Sequence, residues 1–163
     1  SARREEQEEL LAAIEAVWDA GIVVVAAAGN NGPKDKSITI PGLCRKIITV
    51  GSSDDEDGEV KNLGLMRGYS GRGPTEACIM KPEVVAPGTA IVSCKRMGNG
   101  YEMKSGTSMA TPVVAGAVAV LLSRYSNLKP AEVKLRLYET SVDTGKSKHA
   151  QGWGRLDVMQ LIR

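Results

Sequence analysis

The sequence predicts a layered α/β domain with a mainly parallel sheet, and three observations carry the prediction. Three apolar runs, "IVVVAAAG" at residues 22–29, "KIITVGS" at 46–52 and "PEVVAPGTAIVSC" at 82–94, are rich in β-branched residues, and the first has no polar alternation. Strands buried on both faces of a parallel sheet read this way. Segments with helical spacing precede and follow these runs, and turns rich in Gly, Pro and Asp ("GNNGPKD", "SDDEDGE", "YSGRGPT") separate them. The order helix, three strands, helices is that of elements layered on one core. With 163 residues and no internal repeat, linker or low-complexity tract, the chain is read as one unit, 1–163.

Taken in order, "EEQEELLAAIEAVWDAG" places Leu10, Leu11, Ile14, Val17 and Trp18 at helical spacing, with acids in the first turns and Gly21 where a helix-ending glycine belongs. An amphipathic helix follows from that pattern. After the strands comes "MKSGTSMATPVVAGAVAVLL", in which residues 113–122 carry no polar side chain. A helix that is apolar all round, and narrow at Ala115, Gly116, Ala117 and Ala119, is expected to run through the centre of the domain. "SNLKPAEVKLRLYETS" gives a further helix with Pro130 in its first turn. A short last helix is expected in "RLDVMQLI".

Composition narrows the partners. The chain is 42% hydrophobic and 25% charged with a net charge of +2, so no nucleic acid and no membrane is expected as a partner. The longest apolar run, residues 110–122 counted across Thr111 and Pro112, falls short of the roughly 20 residues that span a bilayer. Cys44, Cys78 and Cys94 are odd in number and too widely spaced for a disulfide framework or a zinc cluster, which leans towards a reducing compartment. The opening "SARREEQEELL" is charged and helical and does not read as a leader.

Two polar positions carry candidate chemistry. Ser108 stands at the head of the apolar helix, where unpaired N–H groups and the positive end of the helix dipole stabilise negative charge. Pro112 has no N–H to return to the Ser108 carbonyl, and Gly106 lets the backbone bend just before the serine. This suits an exposed nucleophile, but it also suits a helix cap, the far commoner role of such a serine. Asn30 follows "AAAG" at the carboxyl edge of a strand, where ligands of open α/β sheets bind. An asparagine amide there can donate to an oxyanion, and "GNNG" can equally be a turn with left-handed backbone.

Together these stretches resemble the subtilisin-like serine proteases. "GTSMATPVVAG" is similar to that family's nucleophile segment and "AAAGN" to its oxyanion-hole segment, while "YSGRGP", "KPEVVAPG" and "GWGRLD" recur in the family's order. The resemblance covers essentially the whole chain and implies a three-layer αβα fold. It implies that Ser108 attacks the scissile carbonyl of a peptide or protein substrate while the Asn30 side chain and the Ser108 N–H hold the oxyanion. It makes Thr107 a support for Asn30, and Ala27, Ala28 and Gly29 part of a specificity-pocket wall. It places a cis proline at Ile40 to Pro41. No catalytic cofactor or metal is implied, although "GLCRKI", residues 42–47, overlies a loop that in some members holds calcium or another cation through backbone carbonyls. The unpaired cysteines and the "KPEVVAPG" style lean towards the bacterial cytoplasm.

One departure outweighs these agreements. The family's Asp and His precede the serine, on segments resembling "DTG" and "HGTHVA", and neither segment occurs upstream of Ser108 here. The chain is therefore expected to be the C-terminal portion of a catalytic domain, needing the N-terminal part of the same domain as its partner and inactive alone. "SVDTGKSKHA" offers Asp143 and the only histidine, His149, but no apolar strand leads into it, so it is read as a polar loop. Within it "TGKS" lacks the leading glycine of a phosphate loop. In "SSDDEDGE" the twelve positions of a calcium loop would begin at Ser53 and end at Gly64, where acids are required; a solvated turn is expected instead.

Two functional classes follow. One is a serine endopeptidase part that carries nucleophile and oxyanion donors. The other is a non-catalytic subtilase-fold unit serving binding or assembly, in which Ser108 is a relic. Either way, "IVVVAAA" is expected to present an unpaired sheet edge through which the chain can self-associate.

Overall fold

The computed structural model describes residues 2–56 and 67–163. Strands β1 (Val25–Ala27), β2 (Ile48–Ser52) and β3 (Val84–Ala86) form one parallel sheet in that order. Val25 lies opposite Ile48, and Val50 opposite Val84. Every residue of β2 is buried, as a central parallel strand requires. The outer edge of β1 has no neighbouring strand among the described residues. The far edge is covered: Val85 donates to the Gly154 carbonyl and accepts from the Leu156 N–H.

Three expectations are corrected. The first run is a shorter strand than residues 22–29, because β1 pairs on one side only and its ladder begins where β2 begins; Ile22 is exposed. The run at 82–94 is not one strand. Pro87, with no N–H to donate, leads the chain out of the sheet. Residues beyond it form an antiparallel hairpin of β4 (Ile91–Cys94) and β5 (Tyr101–Lys104). The third correction concerns the apolar helix.

Helix α1 (Ala2–Asp19) brings Leu11, Ile14 and Trp18 to the core. Helix α2 (Thr107–Arg124) lies across the sheet and buries Ala110, Val114, Ala117, Val118 and Leu121, one stripe at helical spacing. By length and composition it could cross a membrane, but this stripe is part of the sheet's core. Its other face is bare rather than enclosed. Val113 is 37% and Val120 49% exposed, and a Cβ on Gly116 would meet nothing within 4 Å. Helices α3 (Pro130–Thr140) and α5 (Val158–Leu161) close the core with Val133, Leu137 and Leu161. The short α4 (Lys148–Gln151) lies in the segment expected to be loop.

A charged cluster sits inside this core. Lys81 is fully buried, and its ammonium donates to both Glu83 carboxylate oxygens at 2.7 and 2.9 Å, to Thr49 Oγ1 and to the Ile47 carbonyl. Glu83 also accepts from the Thr49 N–H and pairs with Lys134 at 2.8 Å. Burial pushes the Lys81 ammonium down to about 8 from the usual 10.5, against the pull of Glu83. Between those two pH values the unfolded chain holds more protons than the folded one, so stability rises with pH there. Below about pH 8 the cost of burying the charge is fully present.

Two outcomes are therefore expected. In urea unfolding from pH 7 to pH 10, wild type gains stability relative to Lys81→Met as pH rises; a pH-independent difference would mean that Lys81 titrates as it does in water. Glu83→Gln leaves the buried Lys81 ammonium and the half-buried Lys134 ammonium without a counter-charge and should cost about 3–5 kcal/mol.

Candidate active site

The two candidate positions come from opposite ends of the fold and meet where the parallel strands finish. β1 delivers Ala27, Ala28, Gly29 and Asn30; the N-terminus of α2 delivers Thr107 and Ser108. Asn30 Oδ1 accepts from the Thr107 N–H at 3.0 Å and from Thr107 Oγ1 at 3.1 Å. Because a backbone N–H can only donate, the amide atom facing it is the oxygen, which turns Nδ2 outward as a donor. Nδ2 has no acceptor among the described residues, and a Cβ on Gly106 would stand 3.0 Å from it. Gly106 has φ +146°, a backbone that side chains disfavour. Both facts require glycine here, directly before the Thr107–Ser108 step.

Thr107 is fully buried, and its hydroxyl oxygen also accepts from the Gly29 N–H at 3.1 Å. One threonine thus ties the strand end, the amide and the helix start together. Ser108 is exposed at the second position of α2, and Asn30 is exposed beside it in the fold. The residue before the helix, Gly106, has no side chain to cap it. The Thr107 N–H goes to Asn30 and the Met109 N–H to the Gly106 carbonyl. The Ser108 N–H has no acceptor among the described residues, and Pro112 leaves the Ser108 carbonyl without its helical partner. So Ser108 is no side-chain cap. An outward amide N–H2 and a free helix-terminal N–H beside an exposed hydroxyl form a set of donors suited to an oxyanion.

Of the residues named as pocket wall, Ala28 is fully buried, whereas Ala27 and Gly29 are half-buried. Gly29 has φ +92°, and a Cβ there would collide with the Thr39 side chain. The Ile40 to Pro41 bond is cis. In the loop of the only histidine, His149 Nδ1 lies 2.9 Å from Asp35 Oδ2. Asp143 accepts from the Gly145 N–H, Gln151 and Lys148, which hold its carboxyl down to about 2. Neither group touches Ser108.

Two residues that matter to this geometry were misjudged from the sequence. The acidic turn is not solvated at Asp54 and Asp55, which close β2; its positions from 57 to 66 lie outside the described residues. Asp54 Oδ1 accepts from Ser52 Oγ and from the N–H groups of Gly88 and Thr89 at 2.9 and 3.1 Å. The Gly88 carbonyl then accepts the Gly106 N–H at 2.9 Å, at the nucleophile turn. Asp55 is 3% exposed, and burial pushes its carboxyl up. It accepts from the Ser70 N–H, and neighbouring Gly71 donates to the Gly29 carbonyl. Two adjacent carboxylates therefore anchor the two segments that flank the site. An acidic run resembles a solvated loop unless its partners, which lie far along the chain, are known.

Comparison with known proteins bears on the family and the fold. The model of the subtilase family, Peptidase_S8, matches residues 2–154. Serine protease AprX of Bacillus subtilis is 38% identical over 92% of this chain and 37% of its own length. Subtilisin DY of Bacillus licheniformis is 36% identical over 90% of this chain and 48% of its own. Among solved structures, the prenylagaramide maturation protease PagA superposes with a TM-score of 0.71 at 27% identity, covering 92% of this chain and 52% of that one. The self-cleaved protease domain of PatA gives 0.72 at 28%, covering 94% and 53%. The chain thus has the subtilisin-like three-layer α/β fold and spans about half or less of the relatives it matches. It belongs to the subtilase family of serine proteases.

Proposed function

We propose that this chain supplies the nucleophile and the oxyanion donors of a serine endopeptidase, completed by an N-terminal part of the same catalytic domain. The observation that carries the reading is the Asn30 amide, locked by Thr107 with its N–H2 outward beside the turn that presents Ser108. Ser108 Oγ attacks the carbonyl carbon of a peptide bond, and its proton passes to a base. The negative oxygen is held by Asn30 Nδ2 and the Ser108 N–H. Collapse expels the amine with that proton and leaves an ester on Ser108, which water then hydrolyses. The base and its orienting carboxylate belong to the N-terminal part, because the only histidine is engaged by Asp35. The bare face of α2 and the open edge of β1 are the surfaces that this part covers. When it is absent, the same edge is available for self-association.

The second reading, a non-catalytic unit used in assembly, draws on those same bare surfaces and on the absence of a base at Ser108 among the described residues. Reactivity separates the two. Alone, the chain should react with a fluorophosphonate probe far more slowly than an intact subtilase does, since a serine without a positioned base is a poor nucleophile.

Mixed with an N-terminal subtilase part that carries the Asp and His segments, the chain should cleave peptides. Ser108→Ala should abolish that activity, and Asn30→Ala should lower turnover by about 10² to 10³ with little change in ground-state binding. His149→Ala and Asp143→Ala should be near neutral. Loss of activity in His149→Ala with retention in Ser108→Ala would put the active site in the loop at 141–150.

Gly116→Leu tests the docking face. Its side chain enters open space in the isolated chain, so the melting temperature should hold while reconstituted activity falls. Full activity in that variant would place the N-terminal part elsewhere.

A further inference from the structure

The loop at residues 42–47, where some subtilases hold a cation through backbone carbonyls, has the oxygen-rich character such a site needs. The carbonyls of Arg45, Lys46 and Ile47 converge on one point, and the Glu83 carboxylate faces it. Converging carbonyls with a carboxylate form the hard donor set that suits sodium or calcium. Yet protein donors already use these oxygens. Lys134 Nζ donates towards the Arg45, Lys46 and Ile47 carbonyls at 3.0, 2.9 and 3.0 Å and lies 2.8 Å from Glu83 Oε1. Lys81 Nζ donates a second bond to the Ile47 carbonyl, at 3.0 Å, and to both Glu83 oxygens. The Gly42 carbonyl accepts from Thr49 Oγ1 at 2.7 Å.

We infer that the Lys134 ammonium, backed by Lys81, is a built-in cation in this carbonyl cluster, so that the loop takes no metal and becomes a sodium or calcium site only when Lys134 is removed.

Three features support this. The spacing suits an ammonium, since calcium draws its oxygens to about 2.3–2.6 Å. Charge excludes an added ion, because two ammoniums already share one carboxylate and a metal would be repelled by both. Aromatic rings add to this: the half-buried Lys134 ammonium lies 6.0 Å from the ring centroids of both Trp18 and Trp153, whose π faces favour a cation. Lys134 also comes from α3, so its reach to the loop pins that helix to the end of the loop that feeds β2. A metal would fill the cluster without making that link. This inference stands apart from the proposed catalysis and does not depend on it.

The test is thermal unfolding of the whole chain in chelator with tetramethylammonium as the only cation, then with sodium or calcium chloride at matched ionic strength. Wild type should melt at one temperature in all three buffers. Lys134→Met should melt lower in tetramethylammonium and recover saturably in sodium or calcium, the rise following the ratio of ion concentration to Kd. Terbium, read by tryptophan-sensitised emission from Trp18 and Trp153, gives a second readout. Emission should appear in Lys134→Gln, which keeps amide donors for the carbonyls without the charge, and should vanish when Glu83→Gln is added. If Lys134→Met does not fold in any buffer, the terbium result on Lys134→Gln decides. A saturable stabilisation of wild type by calcium that Glu83→Gln removes would overturn the inference. So would a folded Lys134→Met indifferent to both ions, or a Lys134→Gln chain without sensitised emission.

Discussion

The amide oxygen of Asn30 is the junction on which the candidate site depends. Two bonds from Thr107, a residue 77 positions away, join the end of β1 to the start of α2. Buried donors seek acceptors because leaving them unpaired is costly. Here the acceptor is a side chain whose remaining end must then point away from the protein. The orientation of the donor to an oxyanion is thus a by-product of satisfying a helix terminus. The Gly29 N–H bond to the same threonine hydroxyl fixes the strand end, so the peptide before Asn30 and the one before Ser108 are set by one buried group.

That junction needs its two sides held at a constant separation. The parallel register of β1, β2 and β3 brings their carboxyl ends together, and the turn after β2 carries two acids that reach in different directions. Asp54 holds the turn after β3, whose Gly88 carbonyl receives the nucleophile turn; Asp55 holds the segment whose Gly71 returns to Gly29. A carboxylate accepting backbone N–H groups gives strong, short-range positioning. The turn that follows the central strand therefore carries both supports, which rigid placement of a site calls for.

The opposite end of the sheet is organised by charge rather than by apolar packing. Glu83 closes on Lys81, Lys134 and the Thr49 N–H beneath Trp18 and Trp153. Such clusters add little net stability because desolvation opposes attraction. Their effect is directional: an ammonium gathering three successive carbonyls fixes the path of the loop that feeds β2. The apolar core of Ile47, Ile48, Val50, Val84, Val114 and Leu121 supplies the drive to fold, while the charged cluster selects one loop conformation.

Much of this was legible in the residues themselves. Helical periodicity located α1 and α3 and continuous β-branched runs located the sheet strands, because local spacing carries that information; the motifs around Ser108 and Asn30 pointed to acyl transfer through their resemblance to the subtilases. What the sequence could not supply was the set of partners. Residues 113–122 read as a helix buried all round, yet a helix is buried only where another element covers it, and among the described residues nothing covers Val113, Gly116 and Val120. "SDDEDGE" read as solvated because an acid's burial depends on donors more than thirty positions away. No local pattern marks Lys81 or Lys134 as drawn inwards, for the same reason. By itself the sequence determined the main helices, the parallel strands and the family of the site. Only the tertiary structure decided which polar groups are buried, which amide end of Asn30 faces out, and which cation the carbonyl loop holds, because each rests on pairing between residues distant in the chain.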